Sequence, residues 1–139
     1  MLDPAELENL LGSKKAADRL KAAKLVGQNQ LKQLEIPLLA AYLKEKAKDN
    51  SWKNQYEMLV ALGLIGCKEA LQPIHSILRI NEPHDMVTYG AAQSYVRLLR
   101  TDLDDATPIL ELLETGRFST ISGALIPLGY DRMMPLDQE

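Results

Sequence analysis

The chain has 139 residues, 46% of them hydrophobic, with one Trp, one Phe, five Tyr and a formal net charge of −3. That length supports one domain with a modest core, and the slight acidity argues against a general nucleic-acid binder. A single cysteine excludes an internal disulfide and fits a reducing compartment, while no stretch approaches the ~18 apolar residues of a membrane span. The opening MLDPAELENLLG lacks the basic start and long apolar run of a secretory signal, so the chain is read as soluble and cytoplasmic. Charge is unevenly spread: residues 1–53 carry ten Lys/Arg against seven Asp/Glu, and residues 54–139 carry six against twelve.

Aliphatic residues and alanine outweigh the aromatic and β-branched residues that strands favour, and no segment alternates strictly, so the prediction is all-α. Asp3 followed by Pro4 predicts an N-cap and first turn, with Leu7, Leu10 and Leu11 inward, Glu6 and Glu8 outward and Gly12 as the stop. Ser13 is placed as the cap of a second helix running to about Gly27. A break is expected at Lys48–Ser51. The next helix carries Tyr56, Leu59, Val60, Gly63 and Leu64 at the spacing of one buried face. Further breaks fall at Asn81–Asp85, where Pro83 disfavours helical geometry before it, at the acidic Thr101–Asp105, and at Thr115–Arg117. Between them Thr88, Ala92, Tyr95, Val96 and Leu99 form another apolar stripe, and Ile109, Leu112 and Leu113 a third. Glycine inside a helix costs about 1 kcal/mol against alanine, so Gly63 and Gly90 are read as close-packing positions. Ala17, Ala23, Ala61, Ala91, Ala92 and Ala124 are further candidates for helix contacts.

Prolines at 37, 73 and 108 each open an apolar run, and an alanine- or leucine-rich helix lies about half a period before each. This is a helical hairpin repeated every 33 to 39 residues. The stretch LVALGLIGCKEALQPIHSIL, ending a helix in Leu-Gly and entering a second through a tight turn, resembles the HEAT repeat in its bacterial short-loop form. Asp104–Ile109 carries a second match. In this likeness Cys67 stands where the family has a capping aspartate, and Pro73 sits one residue late, with Gln72 in its usual place. The resemblance implies a right-handed α-solenoid of stacked antiparallel helical hairpins, a HEAT-like/ARM superhelix. The units would be 13–49, 50–81 and 82–115, with a partial unit or C-terminal cap at 116–139. Met133, Met134 and Leu136 make no full amphipathic pattern, leaving three options: an irregular cap, a piece of a longer array, or an end covered by a partner.

Carried over from the same resemblance, second helices line a concave binding groove. That places Gln72, His75 and Arg79 at its centre, Lys44 and Lys48 on one side and Glu111 and Glu114 on the other. The expected function is a non-catalytic scaffold that binds a protein partner along this groove, without cofactor or metal. Cys67 with His75 or His84 as base lacks any motif for nucleophilic catalysis, and no CxxC, HxxxH or HExxH spacing exists for a metal. The alternatives are a DNA-binding or alkylated-base-excision module using Lys14, Lys15, Lys21, Lys44 and Lys48, or a HEAT-like subunit of a lyase complex.

Overall fold

Asp3 starts the first helix as its spacing predicts. Its carboxylate accepts the Glu6 N–H at 2.9 Å while the Glu6 side chain accepts the Asp3 N–H, a reciprocal capping box. A computed structural model describes residues 2–80 and 85–131. Over these the chain forms α1 (Pro4–Leu11), α2 (Ala16–Gln28), α3 (Glu35–Glu45), α4 (Trp52–Leu64), α5 (Leu71–Ile80), α6 (Met86–Leu99), α7 (Thr107–Leu113) and α8 (Phe118–Tyr130). Among the described residues there is no strand, and no helix is long and apolar enough to cross a membrane. Residues 81–84, with His84, and the stretch 132–139, with Met133, Met134 and Leu136, lie outside the described residues.

Two turns share one construction. After α4, the Gly66 N–H donates to the Gly63 carbonyl at 3.1 Å and the Cys67 N–H to the Leu62 carbonyl at 3.0 Å. Gly66 sits at φ +75°, the left-handed geometry that closes a Schellman cap and that glycine adopts at no steric cost. After α2 the same pair of bonds runs from Gln30 to Gly27 and from Leu31 to Val26, with Gln30 at φ +49°. Each cap leads into a single 3-10 turn, Lys32–Leu34 before α3 and Lys68–Ala70 before α5. Cys67 opens the latter with no side-chain capping bond, as a thiol in the place of a capping carboxylate would.

The helices form two rows. α2, α4, α6 and α8 pack successively on one another, while α1, α3, α5 and α7 each lie against the next even-numbered helix. This arrangement is compatible with a helical repeat. The row is held close by small residues at each crossing. A Cβ on Gly27 would stand 3.1 Å from the Ala61 Cα, one on Gly63 2.8 Å from the Ser94 Cα, and one on Gly123 2.8 Å from the Ala92 Cβ. Gly90 lies as tightly under Tyr56. Around these contacts Ala22, Ala23, Val26, Leu38, Met58, Leu59, Leu62, Ile74, Ala91, Ala92, Val96 and Ala124 are fully buried.

Some local expectations are corrected. Ser13 does not cap α2, which begins after Lys15; the Ser13 hydroxyl accepts the Lys15 N–H and donates to Asp18 instead. Gly27 is a crossing residue inside α2 more than its end. Ala17 is exposed, and Leu99, expected inward, is 37% exposed because the inward arc of α6 ends with Leu98. Tyr56, Val60 and Leu64 are half-buried, turned to the open side of α4, while Leu59 and Gly63 hold its buried face.

The crossing at Gly63 is a constraint that backbone atoms impose, because the Ser94 Cα cannot swing away as a side chain could; only Gly123, against the Tyr89 carbonyl, meets backbone more closely. Gly63→Ala is therefore expected to lower unfolding stability by about 1–3 kcal/mol in urea titrations, despite the better helix propensity of alanine. Gly27→Ala, facing a gap a few tenths of an ångström wider, is expected to cost less. Equal effects at both positions would contradict this account.

Candidate functional groove

The open side of the even-numbered row carries a depression of about 590 Å³. It is built by the same pair of positions, one helical turn apart, on four successive helices. Lys24 and Gln28 come from α2, Val60 and Leu64 from α4, Gln93 and Arg97 from α6, and Ile126 and Tyr130 from α8. From α4 onward the pairs recur every 33 residues (Leu64, Arg97, Tyr130), and from α2 to α4 the interval is 36 (Gln28, Leu64). Polar and apolar rungs therefore alternate along the groove.

Tyrosines line its floor. Tyr56 and Tyr89, also 33 residues apart, stack with ring centres 5.9 Å apart and planes 15° from parallel. Stacking across α4 and α6 buries apolar ring area. The Gln93 side-chain amide donates to the Tyr56 hydroxyl at 3.1 Å, which fixes that amide although the residue is only 2% exposed. Burial, with Tyr56 and Tyr130 nearby, raises the Tyr89 pKa. Tyr130 at the far rung is 80% exposed.

The C-terminal end of the groove is braced by charge. Asp131, which follows α8, accepts from Arg97 Nε at 2.9 Å and Nη2 at 3.0 Å, and from Arg100 Nη2 at 2.6 Å. All three side chains are largely buried. Burial pushes the Asp131 carboxyl up, but the hydrogen bonds and charges of the two arginines outweigh it and hold the pKa below the usual aspartate range. The ends of α4, α6 and α8 meet here, where unpaired helix carbonyls favour cations. Lys32 donates to the Gly66 carbonyl at 2.7 Å and Lys68 to the Leu98 carbonyl. A second depression of about 490 Å³ adjoins the first and shares Gln30, Arg97, Tyr130 and Asp131 with it through one or the other rim.

The residues expected to form a groove fall on the other row. Lys44 and Lys48 line a separate depression of about 450 Å³ with Lys14 and Glu8, beside a buried ion pair between Arg19 and Glu45. That pair is bidentate, at 2.7 and 3.3 Å, and Arg19 Nη1 also donates to the Ser13 carbonyl. His75 is exposed on α5 with its ring edge-on to Tyr95 of α6 at 5.5 Å, and the Tyr95 hydroxyl donates to Glu111 of α7 at 2.7 Å. Burial first, then Glu111, pushes the Tyr95 pKa up to about 12. So the structure brings His75 and Glu111 to one tyrosine, and Lys44 and Lys48 to one depression. Gln72, Arg79 and Glu114 are exposed on α5 and at the end of α7. Cys67 is 1% exposed, and burial leads the causes that raise its pKa, the opposite of an activated nucleophile. Among the described residues no group of three His, Cys, Asp or Glu is placed to hold a metal ion.

Sequence reading missed the tyrosine groove because it took Tyr56 into the buried face. The available signal was the 33-residue interval from Tyr56 to Tyr89, repeated from Leu64 to Arg97 to Tyr130. Comparison with protein-family models, with curated proteins and with solved structures returns no match for this chain.

Two measurements probe this end of the groove. The depressed pKa of Asp131 stabilises the fold above the ordinary aspartate value near 4, and that contribution is lost as pH falls through the lower folded-state value. Asp131→Asn is expected to cost about 3 kcal/mol at pH 7, as for a broken buried pair, and to flatten the acid limb of stability against pH. Gln30 holds a left-handed conformation where Gly66 stands one repeat later, so Gln30→Gly is expected to raise thermal stability, by about 0.5–1 kcal/mol.

Proposed function

We propose that this chain is a non-catalytic protein-interaction module of HEAT-like α-solenoid type, and that a partner's linear segment docks along the tyrosine-lined groove. In this reading the units are 13–49, 50–81 and 82–115 with a partial fourth at 116–139. The observation that carries it is the convergence of four position-matched pairs, Lys24/Gln28, Val60/Leu64, Gln93/Arg97 and Ile126/Tyr130, on one depression. A repeat array recognises a ligand in this manner, each helix contributing the same two positions to one continuous surface.

Two further features support the choice of face. The even-numbered helices pack tightly on one another, whereas contact between α3 and α5 or between α5 and α7 is slight at most. In a HEAT-like solenoid a row of closely spaced helices beside a row of spread ones curves toward the close row, so in this reading the groove would lie on the inner surface. Its chemistry also suits polypeptide. Gln28 and Gln30 can both donate to and accept from peptide groups, Tyr130 offers an exposed aromatic face, and Lys24 and Glu57 bring both signs of charge.

The outer row keeps one argument of its own. The contact of His75 and Glu111 on Tyr95 ties α5, α6 and α7 into one surface, and the set Lys44, Lys48, Gln72, His75, Arg79, Glu111 and Glu114 is the second docking face to test. The nucleic-acid reading is disfavoured by the carboxylate of Glu57 in the groove and by the pairing of Arg97 with Asp131. On the outer row Lys14, Lys44 and Lys48 share their depression with Glu8 and Glu45. A lyase-complex subunit would be one instance of the same scaffold role.

Selection from a displayed library of random linear peptides tests the proposal. The expected result is enriched peptides that lose about tenfold or more in affinity with Tyr130→Ala and with Lys24→Glu, and that bind unchanged to the His75→Glu/Arg79→Glu variant. Loss in the latter variant alone would move docking to the outer row. Failure to enrich any peptide, together with DNA binding that falls steeply with salt, would sink the protein-interaction reading.

A further inference from the structure

The loop between α1 and α2 and the end of α3 meet over a buried ion pair. Arg19, 9% exposed, gives Nε and Nη2 to the carboxylate of Glu45, 1% exposed, and Nη1 to the Ser13 carbonyl at 2.8 Å. The Ser51 hydroxyl donates to the Glu45 carbonyl at 2.8 Å, and the Lys48 N–H to the same oxygen at 3.0 Å. Taking both charges out of water offsets much of what their attraction gains, so the pair is better understood by what it positions.

What it positions is a set of cations. Lys14 follows Ser13 directly, and Lys44 and Lys48 flank Glu45 in the chain; all three are exposed and line one depression of about 450 Å³. None of the three forms an ion pair with a described residue, whereas Lys32, Arg97 and Arg100 each do. Arg19 and Glu45 neutralise each other, which leaves three lysines against Glu8 and a surplus of positive charge in the depression. Leu11, Pro37, Ala40 and Ala41 supply its apolar lining. The scaffold does not require the cluster. Thirty-six residues on, the interval from Pro37 to Pro73, Lys14 becomes Asn50 and Lys44 becomes Ile80.

We propose that this depression is a second docking site, independent of the tyrosine-lined groove, and that it takes an acidic segment of a protein partner. Carboxylates of the segment meet Lys14, Lys44 and Lys48, and an aliphatic residue between them covers Leu11, Pro37 and Ala40. Because the buried pair already holds the loop and the helix end together, binding orders little backbone. The chemistry favours carboxylates over a phosphate group. Phosphate is held best by an open guanidinium fork or by converging backbone N–H groups, and here Glu45 occupies the fork of Arg19. It also favours polypeptide over nucleic acid. Lys21 lines a separate depression and Lys24 the tyrosine-lined groove, so those charges do not extend the site into a stripe that tracks a phosphate backbone. Among the described residues no aromatic side chain lines the site for a base to stack on.

Fluorescence anisotropy of the full chain with a labelled synthetic peptide, glutamate pairs alternating with leucine, tests this. A peptide of the same length with glutamine for glutamate is the control. The expected result is saturable binding of the acidic peptide that weakens as salt rises, and none of the control. The dissociation constant is expected to rise at least tenfold with Lys14→Glu and with Lys44→Glu/Lys48→Glu, and to stay unchanged with Tyr130→Ala and Lys21→Glu. These side chains are exposed, and unchanged circular dichroism would establish that the variants fold. Absence of binding up to about 1 mM peptide, equal binding of the control, or unchanged affinity in both lysine variants would overturn the proposal. Loss of binding with Tyr130→Ala would overturn it too, by moving the acidic peptide to the other groove. A single-stranded oligonucleotide that binds more tightly than the peptide, through the same lysines, would assign the site to nucleic acid instead.

Discussion

The approach of α4 to α6 sets the geometry on which the rest of the molecule depends. Where Gly63 meets Ser94, the Ser94 backbone occupies the space of a side chain, and the Ser94 hydroxyl donates to the Leu59 carbonyl across the crossing. A serine buried this deeply would be costly with its hydroxyl unpaired; bonded to a backbone carbonyl already engaged in its own helix, it instead adds a directional tie between two helices. Similar small-residue crossings at Gly27 and Gly123 extend the close row in both directions. Among the odd-numbered helices only α1 and α3 touch more than slightly, and each lies against the even-numbered row. Burial is accordingly deepest along α4 and α6, where Met58, Leu59, Leu62, Ala91, Ala92 and Val96 lose essentially all solvent contact.

Charge then fixes what packing alone leaves free to slide. Small residues let helices come close but give little resistance to motion along their axes, because their surfaces are smooth. Two ionic contacts supply that resistance. Arg19 and Glu45 join α2 to the end of α3, and Arg97 and Arg100 join α6 to Asp131 beyond α8. Removing such ions from water offsets much of their attraction, so their main contribution is to register and not to net stability. Their placement follows helix polarity. The arginines and Lys68 stand near the C-terminal end of α6, where cations are favoured.

Local features were legible in the sequence wherever one short segment carries the whole signal. Asp3 and Pro4 announced the start of α1, Gly66 its turn, and the spacing of Leu, Ala and Gly the helical class. The exposed Leu99 and half-buried Val60 show the limit: periodicity gives the direction of the apolar arc but not its edges. The ionic contacts were illegible because Arg19 and Glu45 are 26 residues apart, and Arg97 and Asp131 34 apart, with no motif linking them. The groove was half legible. Its tyrosines and matched pairs recur at a fixed interval, but only the packing says which face of each helix looks outward. Reading the binding face from a resemblance put weight on Gln72, His75 and Arg79, on the spread row, whereas the groove proposed above lies on the close row.

Gln30 joins the two scales. It stands at the left-handed position of the α2 cap, where the equivalent cap of α4 has Gly66, and its side chain reaches the rim shared by both depressions. Glycine would relieve the backbone cost at no loss to the cap's hydrogen bonds, which are made by main-chain atoms alone. Nothing in the packing needs the glutamine, since residue 30 is exposed. What glycine would remove is an amide at the junction of Gln28, Arg97 and Tyr130, the place where a peptide leaving the groove would turn over the helix ends. Asn50 holds the same left-handed geometry away from the groove, so what sets Gln30 apart is its place at that rim, the feature the proposed groove would use.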